Sequence, residues 1–189
     1  VRIALPLLAL AGLLVAARPV PAEPVDPRLR QDLGAALDRP HSPADRFDQQ
    51  VWFKDYMRRL RPFVPDAEER RRLAALVFEE AGKAEIPPGL VFAVIQVESH
   101  FQRFALSHAG ARGLMQIMPF WREEIGRPGD NLFEPRTNLR YGCTILRHYL
   151  EREEGDILRA LAAYNGSMGR TIYPEKIHRA YRQRWAEGR

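Results

Sequence analysis

The chain has 189 residues, with 29 Lys and Arg against 24 Asp and Glu, a formal net charge of +5, and 46% hydrophobic residues. That length supports one hydrophobic core, and Cys143, the single cysteine, excludes an intrachain disulfide framework. The basic residues alternate with acids instead of clustering, so they read as a solvated surface suited to an anionic polymer and not as a nucleic-acid footprint.

Residues 1–22 have the pattern of an export signal: Arg2, an apolar run over 3–17, and Val20-Pro21-Ala22 before a cut near Glu23. An uncleaved N-terminal anchor is the alternative, although the run is short for a permanent span. No cysteine lies near the cut to carry a lipid. Residues 23–46, rich in proline and charge, read as a tether with one short helix around 29–37.

A helical lead-in is expected over 47–80. Phe47, Val51, Phe53, Tyr56, Met57 and Leu60 form a broken apolar stripe that Pro62 and Pro65 end. Asp66 caps the next helix with Glu69 at N3, and Leu73, Leu76, Val77 and Ala81 follow at helical spacing. Pro87, Pro88 and Gly89 mark a boundary. Of the eight residues 90–97, seven are apolar and only Gln96 is polar, which predicts a helix buried nearly all round, with Pro88 in its first turn.

Beyond it, 107–113 reads as a glycine-containing loop, 114–117 as a short helix stopped by Pro119, and 120–125 as a further turn or two. Leu139, Cys143, Leu146 and Leu150 have core spacing, so Cys143 reads as a buried structural thiol. Asp156 caps a helix ended by Asn165-Gly166, and Ile177, Tyr181 and Trp185 form one stripe on a last helix. No strand pair or repeat emerges, and the fold class is mainly α.

Glu98 follows directly on the buried run. A carboxyl in such company stays protonated near neutral pH and can give its proton to a leaving oxygen. The residue pattern alone fits a structural glutamate, satisfied by local hydrogen bonds, equally well.

Four stretches in order bear on the choice: Val97-Glu98-Ser99; Ala109-Gly110-Ala111-Arg112-Gly113-Leu114-Met115-Gln116-Ile117-Met118-Pro119; Asn138-Leu139-Arg140-Tyr141-Gly142; and Ala162-Ala163-Tyr164-Asn165-Gly166. Together they resemble the catalytic domain of the soluble-lysozyme-like (SLT) lytic transglycosylases, akin to goose-type lysozyme. The resemblance implies a lysozyme-like α-helical domain over 81–189, with 47–80 as an added N-terminal segment. It implies Glu98 as the catalytic glutamate and Tyr164 as a tyrosine hydrogen-bonding near its carboxyl. Ser107, Met115, Gln116 and Asn165 are implied to meet the sugar. Ser99 is grouped with them and also braces the helix end. Phe120, Trp121 and Tyr173 are lesser candidates for the groove walls, and Trp52 and Trp185 for helix packing. Gly166-Ser167 departs from the Ala-Gly common at this point in the family, so the loop beyond Asn165 can shape the groove differently.

The family reaction needs one carboxyl where an ordinary glycosidase needs two. It implies cleavage of peptidoglycan glycan strands between N-acetylmuramic acid and N-acetylglucosamine, leaving 1,6-anhydro ends, in a periplasmic protein not held in the membrane once the signal is removed. A hydrolytic lysozyme on the same fold, or a non-catalytic scaffold that only binds peptidoglycan, are the other readings. An envelope or secretion-machinery partner fits too. No cofactor is implied, and His41, His100, His108, His148 and His178 form no zinc-binding pattern.

Overall fold

A computed structural model describes residues 46–186, so the export signal and all but the last residue of the tether fall outside the described residues. The order is α1 (Arg46–Leu60), α2 (Ala67–Lys83), α3 (Pro88–Ser99), α4 (Trp121–Ile125), α5 (Pro135–Arg152), α6 (Ile157–Tyr164) and α7 (Ile172–Ala180), followed by a π-turn (Tyr181–Trp185). Among the described residues, extended pairing is confined to two isolated bridges, Leu106 with Arg112 and Arg112 with Ile117. The mainly helical fold expected from the sequence is the one observed. None of the described helices is long and apolar enough to cross a membrane.

The helix starts follow their caps. Asp66 accepts from the Glu69 amide at 2.7 Å, Glu134 from those of Arg136 and Thr137, and Asp156 from those of Leu158 and Arg159. α3 opens with Pro88 in its first turn and buries Leu90 through Ile95 completely. It is the central helix, against which α2, α7 and the π-turn pack.

Its polar exception has a structural cause. Gln96 accepts a hydrogen bond from the Trp185 indole at 2.7 Å. Trp185 is fully buried and stacks on Phe92, which stacks in turn on Tyr56 of α1, with centroids 5.0 and 4.9 Å apart. The Tyr56 hydroxyl donates to the Trp185 carbonyl, and Arg59 donates to the carbonyls of Arg184 and Ala186 at 2.6 and 2.7 Å. α1 thus clamps the far end of the chain. The expected division between 80 and 81 falls inside α2, and buried residues on both sides share one core.

Two local expectations are corrected. Residues 114–117 are not helical: Arg112 and Ile117 exchange backbone hydrogen bonds around a turn that Gln116 enters at φ 51°. The last helix does not run on to Trp185. After Ala180 the backbone widens, the Ala186 amide reaches back to the Tyr181 carbonyl at 2.8 Å, and the π-turn carries Trp185 into the core.

Candidate active site

α3 ends one residue after Glu98. His100 and Phe101 both take left-handed backbone angles, φ 50° and 66°, which stops the helix without a glycine. Phe101 holds this turn by packing on Phe63, Phe92 and Trp185. An aromatic residue is seldom found in this region and stays there only where its surroundings over-determine it.

Glu98 faces a cleft of about 310 Å³ lined by Val97, Asn165, Ser167, Arg170, Ile172, Tyr173 and Lys176, and it is the one carboxyl in that lining. The buried Tyr173, in the first turn of α7, donates its hydroxyl to Glu98 Oε1 at 2.6 Å. Oε2 makes no hydrogen bond to another described residue. Burial pushes the carboxyl up to about 7, and the Tyr173 hydrogen bond, which favours the ionised form, offsets part of that rise. Burial, and then the negative charge of Glu98, hold the Tyr164 and Tyr173 hydroxyls well above the usual tyrosine range, so both remain donors.

The loop that packs on Ser99 and Tyr164 is pinned. Ser99 Oγ donates to the Leu114 carbonyl at 2.7 Å, and Tyr164 donates to the Met115 carbonyl at 2.8 Å. Asn138, buried on α5, accepts from the Met115 amide and donates to the carbonyls of Arg112 and Leu132, each at 2.8 Å. Gly113 sits against that amide at φ 76°, and an added Cβ would lie 2.5 Å from Asn138 Nδ2. Gly142, one turn on from Asn138, leaves room for Met115, whose sulfur would be 2.2 Å from a Cβ there. The Asn138–Gly142 stretch of the sequence therefore holds the loop that carries Met115 and Gln116.

The transglycosylase SLT domain family matches residues 75–184, more than half of the chain. The chain belongs to this family. A transglycosylase of Enterobacteria phage PRD1 is 36% identical over 91 residues, covering 48% of this chain and 33% of the phage protein. Membrane-bound lytic murein transglycosylase F of Desulfosudis oleivorans is 32% identical over 146 residues, 74% of this chain and 30% of that protein. Membrane-bound lytic murein transglycosylase C of Salmonella typhimurium is 32% identical over 127 residues, 58% and 35% of the two chains. The match thus spans about a third of each of these relatives. A solved structure of an inactive mutant of the lytic transglycosylase Slt from Pseudomonas aeruginosa aligns with a TM-score of 0.44 at 26% identity, over 69% of this chain and 22% of that one.

Within this SLT domain the expected site residues divide. Glu98 and Asn165 line the cleft together. Tyr164 stands near enough to Glu98 to feel its charge and donates its hydroxyl to the Met115 carbonyl, while the hydrogen bond to the carboxyl itself comes from Tyr173. Ser99 and Met115 have buried side chains, the first bonded to backbone as a brace of the helix end and the second packed on Gly142. Gln116 donates to the carbonyls of Ala105 and Gly113, and Ser107 accepts from the Ala111 amide, so both hold the 105–117 loop and neither lines the cleft. Phe120 is half exposed, Trp121 packs on Tyr149, and His100 is exposed outside the cleft lining. Cys143 is buried and its thiol is pushed up by burial, as befits a structural residue. Among the described residues no group of three or more His, Cys, Asp or Glu is placed to share a metal ion.

Tyr173 was expected only as a groove wall, and since it belongs to none of the four stretches its bond to Glu98 was not legible in the sequence. Arg170 and Lys176 likewise carry no motif. The departure at Gly166-Ser167 was the one pointer to the loop that brings Ser167 and Arg170 to the cleft.

Proposed function

We propose that this protein is an exported, periplasmic peptidoglycan lytic transglycosylase that cleaves between N-acetylmuramic acid and N-acetylglucosamine and leaves 1,6-anhydro ends. The observation that carries the reading is a cleft with a single carboxyl, held near neutral pKa and hydrogen-bonded on one oxygen. An ordinary glycosidase needs a second carboxylate across the cleft, and none lines this one. The family and the transglycosylase names of its relatives support the same class of reaction.

In the proposed sequence, protonated Glu98 gives its proton to the glycosidic oxygen as the bond to C1 of the muramic sugar breaks. The sugar's acetamido oxygen closes on C1. Glu98, now a carboxylate, takes the proton of the C6 hydroxyl. O6 then attacks C1, the bond to the acetamido oxygen breaks, and Glu98 is protonated again. No water is consumed. A group that is acid in one step and base in the next works best with a pKa near the working pH, which is where burial puts Glu98. Tyr173 favours the ionised form needed for the second step.

The test is mass spectrometry of products from purified peptidoglycan, with Glu98→Gln in parallel. Anhydromuropeptides from the native protein, reduced about 10²- to 10⁴-fold in the variant, are expected. Reducing-end products would assign a hydrolytic lysozyme, and binding without any product would assign a scaffold.

A further inference from the structure

Two side chains in the cleft have no part in the chemistry so far. Arg170 lies on the loop after Asn165, and Lys176 lies on α7 one turn beyond Tyr173, so it shares that residue's face. Both are exposed. Neither is ion-paired with another described residue, whereas Arg136 pairs with Glu79 and Arg152 and Arg159 both pair with Glu153.

Two unpaired cations are more than a sugar needs. The hydroxyls and acetamides of a glycan are neutral, and Asn165 and Ser167 in the same lining supply neutral partners for them. Nor do the cations serve Glu98. A positive charge at the carboxyl would lower its pKa and oppose its work as an acid, yet only burial and Tyr173 move that group. An anion brought in with the substrate would pair them inside the cleft. In peptidoglycan the carboxylates belong to the peptide stem, which hangs from the muramic sugar, the same sugar whose C1 must sit at Glu98.

Resting on the reaction proposed above, we propose that Arg170 and Lys176 form a carboxylate subsite that engages the peptide stem of the muramic residue being cleaved, so that stem-bearing strands are preferred to denuded ones. Arg170 lies on the loop that begins at Gly166-Ser167. The backbone of that loop is fixed at its root, where the Ser167 amide reaches the Ala162 carbonyl at 2.7 Å and the Arg170 amide the Ser167 carbonyl at 3.0 Å.

The experiment compares soluble glycan fragments that carry free-acid stems, stems with amidated carboxylates, or no stems. Binding is measured by calorimetry on Glu98→Gln, with and without Arg170→Gln and Lys176→Gln, and product release is measured on the same strands with Glu98 intact. The expected result is a preference of about tenfold for free-acid stems, the size of two partly exposed ion pairs. It should collapse towards parity in the Arg170/Lys176 variant and for amidated stems, and the turnover difference should lie in KM and not in kcat. The proposal is overturned if native protein shows no preference, if the variant keeps it, or if amidated stems bind as well as free acids. Failure of the reaction itself would look different: no anhydro product from any strand, with the binding preference intact, would remove the transglycosylase step and uphold the subsite.

Discussion

Tyr173 and Glu98, 75 residues apart in the chain, meet at 2.6 Å with the phenol as donor. The bond favours the carboxylate, so its removal in Tyr173→Phe is expected to raise the Glu98 pKa above its value of about 7. The pH–rate profile should move to the alkaline side, and the rate at its optimum should fall about 10- to 100-fold, the worth of one hydrogen bond to a charged group. A Phe variant with an unmoved profile would mean that the bond does not bear on the acid during turnover. Carbon NMR of the Glu98 carboxyl checks the same shift without substrate.

The raised carboxyl also sets a stability trend. Folded Glu98 holds its proton to about 7 and an ordinary glutamate only to 4.5, so the unfolded chain binds fewer protons between those values. Stability from this group is complete below pH 4.5 and is lost as pH rises through 7, by about 3 kcal/mol at most. Glu98→Gln has no charge to bury. Its melting temperature is therefore expected to exceed that of the native protein at pH 8, with the difference shrinking towards pH 4.5. Parallel thermal melts across pH measure it, and a constant difference would contradict the assignment of burial as the cause.

Glu98 was legible because a carboxylate after seven apolar residues in eight has no ordinary explanation, and the helix order was legible from caps and prolines. What escaped depended on distance along the chain or on backbone angles that no residue type advertises. Gln96 looked like an interruption until Trp185, 89 residues away, supplied its donor. The left-handed His100-Phe101 pair, which ends α3 at the acid, contains no glycine to announce it. Ser99 and Met115 lie in the motifs yet have buried side chains, and residue type alone does not tell a buried motif position from an exposed one.

Asn138 makes three buried hydrogen bonds to the loop beside the acid. Asn138→Ala would leave one amide and two carbonyls without that partner, at a cost of about 3 kcal/mol or more. Asn138→Asp keeps the acceptor for Met115 but loses the donor for Arg112 and Leu132, so it should fall between Ala and native in thermal stability. Amide exchange should rise at Met115 in the Ala variant ahead of global unfolding. Unchanged protection there would show that the turn between Arg112 and Ile117 holds itself.

The lead-in helices are expected to be indispensable to folding. Tyr56 and Leu60 of α1, and Leu73, Ala74 and Val77 of α2, are buried against the same core as Phe92 and Trp185. Each large apolar side chain withdrawn from water contributes about 1.5–3 kcal/mol, and a domain of this size has about 5–15 kcal/mol of net stability. A chain beginning at residue 81 loses those contacts and uncovers Phe92 and Trp185 on their α1 side. It also loses the Arg59 bonds that hold the last turn. Such a chain should lack a cooperative melt and near-ultraviolet circular dichroism, while one spanning 46–186 should show both. A cooperative melt from the 81–189 chain would mean that α1 and most of α2 decorate the core instead of completing it.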